Sequence, residues 1–390
     1  MYDAKIKQLW EGEKVMKKLK SLELISANLR TINVGLFPNL ERLDLEGCHY
    51  LEELTVPVGG LNSLVHLNLS SCPNLQSLSF IKQLESLEVL HLSEYFPTEF
   101  PDIVPTGSSN YSLLELDISY SRIEEIPSSI GIFCKLVYLN LSGCGKLKSL
   151  SRSFCSLQSL ITLVLVSSGI EELPDNIGLL KSLQALDLRF THVNIYLIVF
   201  LPENLGQLDS LEVLDPSYCW LRDIPNSICM LKHLKKLKIE YCHSITKLPE
   251  EIGDIECLEE LNVTCTGISH LPRSISLLKG LKIIGFEPGS QIMEEPLDKE
   301  PSKRQRRKDY AAPPLKKIKM EPYTPKKIKT EPYLVYHQLL KTSLDTSTSD
   351  PDYVLKTVPQ GSLTNDNEMR IWELILLDLE KNSTSRFTYR

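Results

Sequence analysis

The chain has 390 residues, a formal net charge of −7 and 42% hydrophobic residues, a share that is ordinary for a folded protein. Its N-terminus lacks the apolar core of a signal peptide, and its most apolar short run, Ile195 to Leu201, is far too short to span a bilayer. These features argue against a secreted or membrane protein, so we expect a protein of the cell interior.

Residues 1–18, which include the run from Lys5 to Gly12, resemble the end of a repeat whose beginning is missing. A repeat protein normally starts with a cap that covers its first apolar edge. Because no such cap precedes Leu19, we expect the chain to be a piece of a longer protein.

Residues 19–286 repeat the pattern Leu-x-x-Leu-x-Leu about twelve times. The first Leu of each copy stands at position 19, 40, 64, 87, 113, 136, 160, 183, 211, 234, 258 or 281. A period in the twenties with this pattern is the signature of leucine-rich repeats. Alternate residues of a strand face opposite sides, so the Leu positions point inward and the residues between them line a concave parallel sheet. We therefore predict an α/β solenoid, which overrides the two or three domains that length alone would favour.

The second half of each copy predicts a single helical turn on the convex side. Leu173, Ile177, Leu180 and Leu183 follow one another at spacings of four, three and three, which places them on one helical face. The same spacing recurs from Ile126, Ile224, Leu248 and Leu271. A proline often stands at the front of these turns, where its missing N–H costs little.

Half of the ten cysteines follow the repeat. They fall eight residues after the first Leu of a copy, where this class of repeat takes Asn or Cys: Cys48, Cys72, Cys144, Cys219 and Cys242. A buried thiol at this position packs as a small apolar group and a weak donor. We interpret these cysteines as reduced structural thiols in a reducing compartment, and no Cys or His spacing indicates a metal site.

Two irregularities predict local distortion. Pro216 takes an inward Leu position and removes a backbone donor from the middle of the sheet. The copy from Leu183 to Leu211 carries five extra residues around Asn194–Phe200, which we expect to bulge.

Residue patterns typical of enzymes are missing. The sequence contains no phosphate-binding loop, no Gly-x-Ser-x-Gly and no His-Glu-x-x-His, and its acidic residues are scattered without pairing. We therefore predict a binding protein rather than an enzyme, with no cofactor.

The concave face carries the candidate site. Its central outward column is Asp44, Asn68, His91, Asp117, Asn140, Val164, Asp187, Asp215, Lys238 and Asn262, and beside it, seven residues after the first Leu, stand Tyr120, Phe190, Tyr218 and Tyr241. From these columns we predict partner-binding residues: Tyr120, Phe190, Tyr218, Tyr241, Asp117, Asp187 and Lys238. Aromatic residues often anchor protein interfaces. Packing of the rings against neighbouring repeats is an equally good interpretation. We interpret His66 and His91 as exposed polar residues, not ligands.

The repeat stops near Phe286, and residues 287–366 read as a disordered, basic, proline-rich tail. Eleven Lys or Arg and two acidic residues between positions 303 and 329 give this part a net charge of about +9. Lys303, Arg304, Arg306, Arg307 and Lys308, followed by a second basic cluster, resemble a bipartite nuclear-import signal. We therefore expect a location in the nucleus as well as the cytoplasm, with a solvated linker as the alternative.

Two tandem copies of Lys-Lys-Ile-Lys-x-Glu-Pro-Tyr, at 316–323 and 326–333, lie in this tail. Each contains a segment similar to the acceptor motif for the modifier SUMO, with Lys319 and Lys329 as the acceptor lysines. The glutamate before each proline favours an extended conformation, which suits an enzyme groove. Residues 367–390 close the chain and could form a short amphipathic helix from Asn367 to Lys381.

Several stretches of the repeats, among them Lys5 to Gly12, Pro38 to Cys48 and Leu139 to Cys144, resemble plant intracellular immune receptors of the TIR–nucleotide-binding–leucine-rich-repeat class. The resemblance covers the repeats only. It implies a recognition module that senses a pathogen effector or an altered host protein, in a chain without TIR or nucleotide-binding domains.

Two further classes share the repeat. An intracellular leucine-rich-repeat scaffold of the Ras-group type also fits the Leu-Pro-x-x-Ile-Gly pattern. A receptor-kinase ectodomain is disfavoured by the lack of a signal peptide, of a membrane span and of Gly-x-Ile-Pro repeats. We expect a protein partner on the concave face, an effector or a host protein, and no membrane, nucleic-acid or small-molecule ligand.

Overall fold

The structure is a computed structural model that describes residues 15–57, 60–100, 112–191 and 200–286, and the backbone of residues 319–321. Its main sheet contains thirteen short parallel strands among these residues, stacked in chain order. They are β1 Ser21–Glu23, β3 Arg42–Asp44, β5 His66–Asn68, β6 Val89–His91, β7 Glu115–Asp117, β8 Tyr138–Asn140, β9 Thr162–Val164, β10 Ala185–Asp187, β11 Val213–Asp215, β12 Lys236–Lys238, β13 Glu260–Asn262, β14 Lys282–Ile284 and β15 Lys319–Glu321. A separate pair, β2 Thr31–Asn33 and β4 Glu53–Thr55, runs parallel near the N-terminal end. The predicted leucine-rich-repeat solenoid is confirmed.

Each strand of the repeats is three residues long and centres on an inward Leu or Ile. The register joins these residues to one another, as in Leu116 to Leu139 and Leu139 to Leu163, and from β3 to β14 they are almost completely buried. The core is therefore one continuous column of aliphatic side chains, which each new repeat extends.

The twelfth copy is one residue out of step with the count from the sequence. A copy that starts at Leu281 predicts Ile284 as the strand centre, but Ile283 pairs with Leu261 and is buried. Leu281 is also buried, because it fills the core from the position just before the strand. The pattern was ambiguous here since two of the three residues after Leu281 are isoleucines.

Short 3-10 helices form the convex side, as predicted from the apolar spacing. They are η1 Val34–Leu36, η2 Ser79–Gln83, η3 Ser128–Ile132, η4 Arg152–Ser156, η5 Ile177–Leu179, η6 Glu203–Gln207, η7 Asn226–Met230, η8 Ile252–Asp254 and η9 Arg273–Leu277. Prolines precede η3, η6, η7 and η9 as N-cap residues with extended backbone. These helices stack closely: a Cβ at Gly206 or Gly253 would collide with a backbone carbonyl of the next repeat.

Pro216 interrupts the sheet locally, as its sequence position predicts. The corresponding residue of the following repeat, Ile239, donates its N–H to the carbonyl of Asn262, a bond that Pro216 cannot make. The pairing of β11 with β12 accordingly extends only to Leu214. Two residues after Pro216, Tyr218 N–H still donates to the carbonyl of Glu240 in the next repeat, at 2.7 Å. The distortion is confined to one missing bond.

Most of the predicted bulge lies outside the described residues, which resume at Phe200 with an exposed side chain. In the tail, residues 319–321 form β15, which pairs with β14. An unpacked segment was expected here; the outer edge of β14 offers unpaired backbone groups that a further strand satisfies. The rest of the tail and residues 367–390 lie outside the described part of the chain.

Candidate functional site

The central column of the concave face occupies the third position of each strand. The register places its members side by side, as in Asp117 with Asn140. In seven repeats the Asp or Asn oxygen accepts a hydrogen bond from the backbone N–H two residues later, as Asp117 does from Ser119 at 2.8 Å and Asp187 from Arg189 at 3.1 Å. In these repeats the side chain takes the place of a backbone acceptor and stabilises the turn that follows the strand.

The next column, seven residues after the first Leu, has a left-handed backbone in eleven consecutive repeats. Its members, with φ between 54° and 71°, are Ser26, Gly47, Ser71, Glu94, Tyr120, Gly143, Ser167, Phe190, Tyr218, Tyr241 and Cys265. For an L-residue this conformation costs about 1–2 kcal/mol, which glycine avoids. The predicted aromatic residues therefore occupy a position that favours small residues.

Three of the four predicted aromatic residues form one stack, which we call the aromatic ladder: Phe190, Tyr218 and Tyr241. Their ring centroids are 4.3 Å and 4.5 Å apart, and the rings are nearly parallel, at 18° and 12°. All three are half-buried. Tyr120 lies apart from them, against Gly143 of the next repeat. The central ring, Tyr218, is thus covered on both faces by its neighbours, and the ring edges are the parts of the stack that a ligand can meet.

A group of charged side chains lies beside the aromatic ladder. Arg189 donates from Nε and Nη2 to both carboxylate oxygens of Asp187, with the shortest contact at 2.7 Å. Its side-chain hydrogen bond to Asp187 raises the pKa of Arg189. Lys238 Nζ lies 3.5 Å from Asp215, whose carboxylate is mostly buried. Burial, followed by the charge of Asp215, raises the pKa of Glu240. We call Asp187, Arg189, Asp215, Lys238 and Glu240 the charged cluster.

Of the predicted partner-binding residues, the structure brings Phe190, Tyr218, Tyr241, Asp187 and Lys238 together. Asp117 and Tyr120 lie several repeats away. Arg189, Asp215 and Glu240 were missed as site residues. Arg189 and Glu240 stand immediately before a ladder residue in the sequence, and this adjacency was the available signal.

The two histidines are half-buried rather than exposed, contrary to the expectation. Their rings meet edge to face with centroids 5.5 Å apart, and His91 Nε2 lies 2.9 Å from a carboxylate oxygen of Glu115. Burial lowers the pKa of His66, and the nearby charge of Arg42 lowers it further. Across the part of the chain that the structure describes, no group of three His, Cys, Asp or Glu side chains could hold a metal ion.

The five repeat cysteines share one inward contact. Each Sγ lies 2.9–3.3 Å from the backbone oxygen of the third inward position in the preceding repeat, as Cys144 does from Ile118. Burial raises the pKa of Cys72, Cys144, Cys219 and Cys242 to about 12. All ten cysteines are free thiols. Four of the five repeat cysteines are buried and Cys72 is partly exposed. The raised pKa leaves these thiols with little nucleophilic character.

The predicted import residues Lys303, Arg304, Arg306, Arg307 and Lys308, and the acceptor Lys329, lie outside the described residues. Lys319 is described only by its backbone, which lies in β15. No helix among the described residues is long and apolar enough to cross a membrane.

Comparison with known proteins identifies the relatives of the repeats. The Arabidopsis thaliana disease resistance protein RPP2A is 34% identical over 147 residues, which are 37% of this chain and 11% of that protein. The disease resistance protein RML1A of the same plant is 32% identical over 162 residues, 41% of this chain and 16% of that protein. The resemblance of the repeats to TIR–nucleotide-binding–leucine-rich-repeat proteins is confirmed. The matched stretch spans less than a fifth of either relative, and no protein-family model matches the chain.

Solved structures agree on the fold. The crystal structure of a TDR receptor aligns with a TM-score of 0.55 at 24% identity, over 69% of this chain and 47% of that one. At this identity the likeness establishes the solenoid and not a shared ligand.

Proposed function

We propose that this chain is a recognition module of plant innate immunity and that its concave face binds a pathogen effector or an altered host protein. The relatives are named as disease resistance proteins, which supports a role in plant immunity. The aromatic ladder supports the concave face as the binding surface, since it places three large rings side by side there.

The backbone of the aromatic ladder is the observation that carries the proposal. Eight other repeats fill the same left-handed position, and seven of these use Ser, Gly, Glu or Cys, so the fold itself does not require an aromatic residue there. The fold demands the left-handed backbone but not a large side chain on it, and residues held in this strained conformation cluster at ligand sites. Half-buried tyrosines are also typical anchors of protein interfaces.

The test compares two double variants of the full chain. Tyr218→Ala with Tyr241→Ala removes the ladder, and Met230→Ala with Leu277→Ala removes two exposed side chains from the convex helices. Both are used as baits in leaf extract, and dissociation constants are then measured for each protein that the unmodified chain retains. We expect the ladder variant to lose about 1–3 kcal/mol of binding free energy and the convex variant to lose little. Equal affinities for all three chains, with folding intact, would refute a concave site at the ladder.

For the tail we propose nuclear import and conjugation of SUMO. The two basic clusters and the two Ile-Lys-x-Glu segments motivate this. Residues 296–335, fused to a fluorescent protein too large for passive entry, should accumulate in the nucleus, and should stop doing so when Lys303, Arg304, Arg306, Arg307 and Lys308 become Ala. Conjugates should vanish in the Lys319→Arg, Lys329→Arg double variant, which retains the charge. A cytoplasmic fusion, or conjugates that persist, would leave the tail as a basic linker.

A further inference from the structure

The charged cluster beside the aromatic ladder is short of one cation. It contains three carboxylates, on Asp187, Asp215 and Glu240, and two cations, on Arg189 and Lys238. Two further lysines on the face, Lys236 on β12 and Lys282 on β14, are both in register with another acid, Glu260 on β13. The five residues of the cluster itself therefore carry an excess of one negative charge.

The two cations of the cluster are already engaged by the aspartates. Arg189 makes two-pronged hydrogen bonds to Asp187, and Lys238 lies within ion-pair distance of Asp215. Among the described residues no lysine or arginine lies within 4.0 Å of the Glu240 carboxylate. Burial and the neighbouring Asp215 raise the pKa of Glu240, and Lys238 and Arg189 offset this only in part. A half-buried carboxylate with this balance is stabilised by any further positive charge that comes close to it.

Hydrogen bonds hold the backbone of Glu240 beside the aromatic ladder. Glu240 N–H donates to Ser217 Oγ at 3.3 Å, and its carbonyl accepts the N–H of Tyr218 at 2.7 Å. The next residue in the chain is Tyr241, the last ring of the ladder. The Glu240 side chain therefore starts next to the last ring of the ladder.

We propose that the protein segment recognised by the aromatic ladder carries a basic side chain, arginine or lysine, which pairs with Glu240 and Asp215. This inference rests on the proposed function and names the chemistry of the partner. A basic side chain supplies the missing charge, and its N–H donors suit the carboxylates. An acidic segment would add a further negative charge to the excess, and an apolar segment would bury an ionised Glu240 without a partner; both are costly.

The test selects ligands without assuming their identity. A phage-displayed library of random peptides is panned against the full chain and counter-selected against the Tyr218→Ala, Tyr241→Ala variant. We expect the surviving peptides to be enriched in arginine or lysine at one fixed distance from an apolar residue. If no peptide distinguishes the two chains, the ladder is not a binding site and the proposed function fails with it. Enrichment of acidic or uncharged apolar peptides would uphold the ladder and overturn the basic partner.

Affinities of synthetic copies of the selected basic peptides then locate the contact. Glu240→Gln keeps the size of the side chain and removes its charge, so we expect binding to weaken by about tenfold or more. Glu203→Gln, on the exposed convex helix η6, is the matched control and should bind as the unmodified chain does. Glu240→Lys should move the preference of the library toward acidic peptides. Basic peptides whose affinity is the same for Glu240→Gln as for the control would place the cation elsewhere and overturn the assignment to Glu240.

Discussion

Two neighbouring columns of the solenoid obey different rules. The seventh position of each copy lies outside and holds the aromatic ladder, and the eighth lies inside and holds the repeat cysteines. Inside, the fold favours a small side chain with a weak donor, because the residue packs against the previous repeat, although Ala27 and Tyr95 also occupy this position. Outside, the fold selects a left-handed backbone but not a side chain, and Ser, Gly, Glu, Tyr, Phe and Cys all occur. Large side chains in the outer column therefore call for an explanation beyond folding.

The largest effect should come from breaking the inner column. Cys144→Ala removes a completely buried Sγ and its contact with the carbonyl of Ile118, 3.3 Å away. A cavity and an unsatisfied carbonyl together should cost about 1–3 kcal/mol of unfolding free energy. Cys257→Ala is the control, since Cys257 is exposed. Denaturant unfolding of both variants gives the comparison, and equal midpoints would mean that the thiol contact contributes nothing.

A smaller effect should follow from repairing the break at Pro216. Pro216→Leu restores a donor toward the carbonyl of Lys238, worth about 0.5–1.5 kcal/mol. Loss of the restraint that proline places on the unfolded chain offsets about 0.4–1 kcal/mol of this gain. In hydrogen exchange, the strand at Leu211–Ser217 should open before the strand at Leu136–Leu141. The substitution should reduce the difference in protection between the two strands. Equal protection of the two strands in the unmodified chain would contradict the assignment of Pro216 as a weak point.

The outer column should tolerate a change that the inner column does not. Tyr218→Gly relieves the strain of a left-handed tyrosine, about 1–2 kcal/mol, and loses two ring stacks of about 0.5–1.5 kcal/mol each. The sum ranges from a gain of about 1 to a loss of about 2 kcal/mol of unfolding free energy, so we expect a small change in the thermal midpoint while partner binding is lost. A large loss of stability would show instead that the ladder serves mainly to hold neighbouring repeats together.

The repeat made the inner column predictable and left the outer one open. Leu139, Leu163 and Cys144 lie where the period places them, because burial repeats with the backbone. The stacking of Phe190 on Tyr218 depends on the left-handed turn, which the spacing of leucines does not specify. The charged cluster was missed because Arg189 and Glu240 stand six residues after the first Leu of their copies, between the two columns from which the site was predicted.

On the outer face, the most informative change in stability is the one caused by substituting Glu240. Its pKa is raised in the folded chain, first by burial and then by Asp215, so the folded state binds the proton more tightly than the unfolded state does. The resulting stability is present below the unfolded pKa, about 4.3 for glutamate, and is lost as pH rises through the folded value. At neutral pH the ionised Glu240 therefore destabilises the chain, and Glu240→Gln should raise the thermal midpoint.

That gain should become smaller when the same pair is measured at about pH 4, just below the unfolded pKa of about 4.3, because protonation then removes much of the charge of Glu240. Glu203→Gln, on the exposed convex side, should leave the midpoint nearly unchanged at both pH values. A lower midpoint for Glu240→Gln at neutral pH would show that Glu240 is a stabilising ion-pair partner within the fold. If the midpoint rises as expected, Glu240→Gln both stabilises the chain and weakens the binding of basic peptides. A purely structural carboxylate would not produce both results, whereas a carboxylate held ready for a partner's cation would.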